Sequence, residues 1–272
     1  MKMSIKKAAL IIATAILPFT GCKKAAETTG LSSDDQTAAL DQAQLEKTSN
    51  DVENISDNAG TTGTVNMRLA PSELGSCAVI TFDTSSGTHT ITIDFGTGCT
   101  DIYGNTRAGK IIISFSGHYR DSGSTHTITY SNYYFNGNKL NGSKSVTNIG
   151  SYTFSVIVND SLTLTDGSVI SWTGNRTRVW TNGYSTATIW DDEYNIYGTT
   201  TVSRSSTGKS TTFVVSSSTP LHVATICKWV ESGIITATRS TGGSYSIDYG
   251  STGCDNDATL TVGGKTYSIK LR

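Results

Sequence analysis

Only three prolines interrupt the 272 residues, and charged side chains make up only 16% of them. Runs of Ala, Leu, Glu and Lys are missing after residue 55. A helical bundle is therefore excluded as the main architecture. The net charge of −1 leaves no basic excess for a nucleic-acid partner. No C-x-x-C pair is present to suggest a zinc site, and no H-E-x-x-H to suggest a metalloprotease. His89, His118, His126 and His222 follow no metal-binding spacing. Gly104 to Lys110 falls one residue short of a P-loop, and Ile111 stands where that motif needs Ser or Thr. No G-x-S-x-G occurs; the nearest string, Gly183 to Ala187, begins in a turn. The sequence thus selects no catalytic residue, no cofactor and no metal.

What is present begins with an export signal. Lys2, Lys6 and Lys7 precede an apolar run from Ala8 to Leu17, too short to span a membrane. Phe19-Thr20-Gly21-Cys22 then resembles the lipobox of bacterial lipoproteins, with Phe19 where Leu is usual. The expectation is a signal peptide over 1–21 and acyl chains on Cys22 that hold the protein in a membrane. Lys23 after the cysteine resembles an outer-membrane sorting signal. Residues 22–62 are polar and read as a tether. Ser33-Asp34-Asp35-Gln36 resembles a capping box and predicts a short helix from about Asp34 to Lys47.

Four cysteines remain, an even number in an exported chain. Two similar stretches contain them. Ile93-Asp94-Phe95-Gly96 runs on to Gly98-Cys99, and Ile247-Asp248-Tyr249-Gly250 runs on to Gly253-Cys254. Each has an earlier cysteine, Cys77 or Cys227, and a Gly-Lys pair at one fixed distance, ending at Lys110 or Lys265. The reading is an internal duplication, with bridges Cys77–Cys99 and Cys227–Cys254 inside each copy.

From Thr64 the apolar period is two, which predicts strands. Ala78–Asp83 and Thr88–Phe95 predict a hairpin over Ser85-Ser86-Gly87. Lys110–Phe115 is apolar on both faces and predicts a central strand, with Thr125–Tyr134 next. Asn141-Gly142, Asp166-Gly167, Asn182-Gly183 and Gly263-Gly264 are tight-turn dipeptides between alternating runs. Cys227–Arg239, Tyr245–Tyr249, Thr259–Val262 and Lys265–Leu271 predict the last strands. The fold class is all-β, an antiparallel up-and-down meander over residues 63–272 as one domain. Pattern leaves an open curved sheet, a sandwich and a barrel undecided.

Ile93 to Asp101, Cys227-Lys228-Trp229-Val230-Glu231-Ser232-Gly233, Asn132–Gly142 and Trp172–Trp180 together resemble a group of uncharacterised lipid-anchored proteins of Bacteroidota. The resemblance covers most of residues 75–272. It implies location and duplication, and no catalytic residue.

Two clusters are candidates for binding. Asp248, Asp255, Asn256 and Asp257 gather oxygens, but an ordinary polar turn accounts for them. Trp172, Arg176, Arg178 and Trp180 share strand parity and therefore one face. With Asn182-Gly183 as a two-residue turn, Ile189, Ala187 and Ser185 lie opposite Arg176, Arg178 and Trp180. That face is either a packed cation–π ladder or an open surface that stacks sugar rings. The functional expectation is a non-catalytic, outer-membrane or surface-anchored β lipoprotein, a structural, adhesive or ligand-presenting module. Its partners would be the membrane, through the lipid, and a glycan or protein. The alternatives are a carbohydrate- or lipid-binding accessory protein and, third, a hydrolase.

Overall fold

The structure is a computed structural model, and it describes residues 31–60, 74, 77–83, 89–117, 121–186, 189–251 and 253–271. The signal segment, Cys22 and the Ser85-Ser86-Gly87 turn lie outside the described residues.

Among the described residues, one helix, α1 (Ser33–Gly60), precedes fifteen strands. They are β1 (Val79–Asp83), β2 (His89–Asp94), β3 (Cys99–Thr100), β4 (Thr106–Phe115) and β5 (Thr125–Phe135). β6 (Asn138–Gly150), β7 (Thr153–Thr163), β8 (Val169–Asn182), β9 (Glu193–Arg204) and β10 (Lys209–Val215) follow. β11 (Leu221–Ala224), β12 (Ile234–Arg239), β13 (Ser244–Asp248), β14 (Asp257–Val262) and β15 (Lys265–Lys270) complete the chain. All join one antiparallel meander in which sequence neighbours pair. The departures are short: β3 pairs with β4, and β11 pairs with the start of β9. The path runs from β1 to β15 and does not close. Lys110–Phe115 lies in β4, between β2 and β5, with Ile111 and Ile113 fully buried.

Both disulfides form, Cys77–Cys99 and Cys227–Cys254, with Cα atoms 5.7 and 5.5 Å apart. In both stretches the aspartate caps a turn: Gly96 N donates to Asp94 Oδ1 and Gly250 N to Asp248 Oδ1, each at 2.8 Å. The Gly-Lys pairs are not equivalent. Lys110 lies within β4 opposite Asp94, whereas Gly264-Lys265 turns from β14 into β15.

Two turn assignments require correction, and one further turn carries none of the usual turn residues. Asn141-Gly142 lies inside β6, and the turn before it is at Asn136-Gly137. Asn182-Gly183 opens a loop that ends at Glu193, so Tyr194 and Ile196 face Trp180 and Arg178 instead of Ser185 and Ala187. The β6–β7 turn uses Ser151 and Tyr152, both at positive φ, and carries no Gly or Asn at those positions.

The larger correction concerns residues 33–60. They are a 28-residue helix, and it lies inside the sheet. A Ser32 hydroxyl accepts from Asp35 N and starts it. A helix on a flat sheet buries one stripe. Here Leu40, Asp41, Gln42 and Ala43, four consecutive residues that together point around the whole circumference, are all buried. The sheet therefore folds round the helix. Ala39, Leu45, Val52 and Ile55 join the apolar core with Ile91, Ile93, Phe154, Val156 and Ile247.

Charge fixes the helix in place. Its seven acids each meet a base from the sheet. Asp34 pairs with Lys209, Asp35 with Arg239 and Asp41 with Arg204. Glu46 pairs with Arg176 at 2.5 Å, Asp51 with Arg107 at 2.5 Å, Glu53 with Lys144 at 2.8 Å, and Asp57 with Arg178. The bases come from β4, β6, β8, β9, β10 and β12. Only one helical axis position satisfies all of them.

Gly142 and Gly198 lie inside β6 and β9 with φ of 115° and 131°. A Cβ on Gly198 would overlap the Asn175 carbonyl oxygen across the strand. Gly198→Ala is therefore expected to cost about 2–4 kcal/mol, from backbone strain plus overlap. A denaturant titration measures it.

Buried carboxylates give the fold a pH dependence of both signs. Burial pushes Glu53 up, but Lys144 and Arg178 outweigh it and leave its pKa lowered. Asp35 is likewise lowered, where Arg239 and Ser32 overcome burial. Their stabilisation is present above the ordinary carboxylate range and lost as pH falls through their depressed values. Asp160 is the opposite case. Burial, with repulsion from Glu53, raises it to about 6 despite Lys144. Its contribution is present below about 4 and lost as pH rises through about 6. Asp160→Asn is expected to remove that loss and to raise stability near pH 7 by about 2 kcal/mol. Thermal melts across pH 4–8 test this.

Candidate functional site

The expected face of Trp172, Arg176, Arg178 and Trp180 exists, but it is not open. All four point inward and are buried, with 1%, 6%, 1% and 3% exposure. Arg176 lies 5.7 Å over Trp172, and Arg178 lies 3.4 Å over Tyr194, which stacks on Trp180. The packed-ladder alternative describes this arrangement. What sequence reasoning missed is the helix above it, whose Glu46, Glu53 and Asp57 engage both arginines. The open sugar-stacking face is withdrawn, because the helix occupies it.

Asp255 and Asp257 form an ordinary turn. Asp257 N donates to Asp255 Oδ1 at 2.8 Å, and Asp257 pairs with Lys270. Cys227, Glu231 and Cys254 lie close enough together to suggest a metal cluster. Both cysteines are in the disulfide and offer no thiolate.

Two cavities border the helix. The larger, about 780 Å³, surrounds its first turns and is lined by Asp34, Asp35, Asp41, Arg204, Lys209 and Arg239 with Ser, Thr and Gly. Its three bases are each paired with one of its three acids, and no aromatic side chain lines it.

The smaller, about 340 Å³, lies beside the second half of the helix and has different chemistry. Three loops and one helical face build it. The first loop carries Tyr103, between β3 and β4. Asp101 organises this loop by accepting from Tyr103 N and Asn105 N, both at 2.8 Å, and from Asn105 Nδ2 at 3.0 Å. Tyr103 is thereby held on a tight turn at 53% exposure. The second loop, between β8 and β9, brings Trp190, whose ring centroid is 5.6 Å from that of Tyr103. The third, between β11 and β12, carries Trp229, whose N–H lies 3.4 Å from Cys227 Sγ in the bridge. The helix adds Lys47, Asn50, Asp51 and Asn54. Cys99 and the Cys227–Cys254 bridge thus brace two of the three loops.

Arg107 forms the floor and bridges Asp51 and Asp101. Asp101 is held below its usual range, because hydrogen bonds from Arg107 and Asn105 outweigh its burial. Asp51 is pushed up by burial despite Arg107. Its Oδ2 is buried and makes no hydrogen bond. A site of this size with three aromatic rings, amides and an acceptor oxygen suits a small polar ligand with flat apolar faces.

None of these cleft residues was a sequence-level candidate. Cys227–Arg239 reads as one strand, whereas the strand begins only at Ile234 and leaves Trp229 in a loop. The available signal was Tyr103 followed by Gly104-Asn105, an aromatic at the tip of a turn.

Comparison with known proteins gives no match: no family model fits the sequence, and no curated protein or solved structure is detectably similar to the chain.

Proposed function

We propose that this protein is a lipid-anchored, non-catalytic module of the outer membrane that presents the Tyr103–Trp190–Trp229 cleft to saccharide. The cleft carries the reading. Sugar rings offer flat C–H faces that stack on aromatic rings, and hydroxyls that pair with amides and carboxylates. The cleft also offers the side-chain amides of Asn50, Asn54 and Asn105 for such hydroxyls. A stiff scaffold supports it, because loops fixed by disulfides and by a buried helix lose little freedom on binding.

The non-catalytic part rests on Arg107. It engages both cleft carboxylates, and Asp101 is buried beneath the surface. A lipid chain would need a long apolar cavity, and among the described residues the space inside the sheet is filled by the helix and its ion pairs.

Anchoring rests on the Gly21-Cys22 site. Cys22→Ala is expected to release the protein from the membrane fraction or leave it unprocessed. Trp229→Ala and Trp190→Ala are each expected to weaken retention on glycan affinity gels at least tenfold, while melting changes little. A stacking interaction of about 1–2 kcal/mol corresponds to a change of that order. Retention unaffected by both variants would remove the cleft as the binding site.

A further inference from the structure

The helix holds seven acids and one base, and the base is the exception to its charge matching. Each acid meets a partner on the sheet. Lys47 makes no salt bridge among the described residues, and it lines the aromatic cleft. Its ammonium lies 4.7 Å from the centroid of the Trp229 ring. A second ammonium, Lys228, lies 5.4 Å from the same ring, is exposed and also makes no salt bridge among the described residues.

Two cations therefore share one indole and no carboxylate. The strain is visible in Lys47, whose pKa is lowered first by burial and next by repulsion from Lys228, with Asp51 opposing. Asp51 lies one helical turn away, but Arg107 holds it. Elsewhere around the helix the fold neutralises buried charge side chain by side chain, and here it leaves positive charge uncompensated.

We propose that the cleft takes an acidic saccharide, with a carboxylate or sulfate of the sugar seated between Lys47 and Lys228. This rests on the saccharide reading above and specifies its class. Trp229 holds the two ammoniums, and Tyr103 and Trp190 stack the ring that carries or neighbours the anion. An anion relieves the repulsion between the lysines, so charge adds affinity beyond stacking. Lysine suits the role, because its ammonium is a point charge that accepts carboxylate and sulfate alike.

The test uses the mature protein on a glycan array that prints neutral, carboxylated and sulfated oligosaccharides. Binding is expected to be confined to acidic members. For the best carboxylated binder, its methyl ester keeps every ring and removes the charge. The ester is expected to bind at least tenfold more weakly, by quenching of tryptophan fluorescence. Lys228→Gln, at an exposed position, is expected to weaken the acid several-fold and leave the ester unchanged. Lys47→Met with Lys228→Gln is expected to abolish the preference. Higher salt is expected to weaken the acid only. Equal binding of acid and ester, or a preference that survives in the double variant, overturns the acidic class and leaves the saccharide reading standing. An array on which no glycan binds overturns both.

Discussion

Deletion of residues 33–60 is expected to leave the fifteen strands unable to form a cooperative fold. Arg107, Lys144, Arg176 and Arg178 are almost fully buried, with side-chain exposures of 4%, 0%, 5% and 1%. Each is neutralised by a helix acid. Without the helix, four cations would face a vacated interior. An uncompensated buried charge costs several kcal/mol, and a domain has about 5–15 kcal/mol of total stability. Water would enter, and the apolar stripe of Ile91, Ile93, Phe154 and Val156 would be exposed with it. The deletion variant should lose its near-ultraviolet circular dichroism and its sharp thermal transition. A variant that still melts cooperatively would show that the sheet holds itself together.

The second large effect is at Glu46 and Arg176. Both are buried, and Glu46 also accepts from Gln42 at 2.6 Å. Arg176→Met leaves a buried carboxylate, and Glu46→Gln leaves a buried guanidinium. Each single change is expected to cost about 3–5 kcal/mol. Glu46→Gln with Arg176→Met removes both charges and keeps a partner for Gln42. The double variant is expected to recover most of the loss, so the two single costs do not add. Denaturant titration of the four proteins measures the coupling. Additive costs would mean that the pair contributes no specific interaction to the fold.

The strands were legible because their signal is local. Alternation in Ile91, Ile93 and in Tyr245, Ile247 marks an inward face whatever the strand packs against. The cysteine pairing was legible for the same reason, since each bridge closes its own hairpin region. Gly263-Gly264 was a reliable turn because Val262 and Lys265 pair directly. Asn141-Gly142 misled because the same conformational freedom serves a close approach of two backbones inside a sheet. Gly142 has φ 115° beneath the Asn159 carbonyl.

The start of the helix was legible in its capping box, but its full length to Gly60 and its burial were hidden by its own chemistry. Asp34, Asp41, Glu46, Glu53 and Asp57 look like the solvated face of a tether, and the thin apolar stripe of Ala39, Ala43, Leu45 and Val52 looks too weak to pack. Their partners lie far away in sequence. Arg176 is 130 residues from Glu46, and Arg239 is 204 residues from Asp35. No local pattern relates a charge in the N-terminal segment to one of opposite sign on a distant strand. The same distance hid the cleft, which needs loops from three parts of the meander and two turns of the helix. Arg176 and Arg178 themselves were legible as residues of one face. Whether that face looked outward or inward depended on the helix.

Hydrogen exchange distinguishes a helix enclosed by the sheet from a free segment over residues 33–60. Amides from Ala39 to Ser56 on the mature protein are expected to exchange only through global unfolding, as slowly as those of Ile111–Ile113 and Val156–Val158 in the central strands. Exchange of the helical amides within seconds, with the strands still protected, would mean that the segment is a tether and would contradict the account.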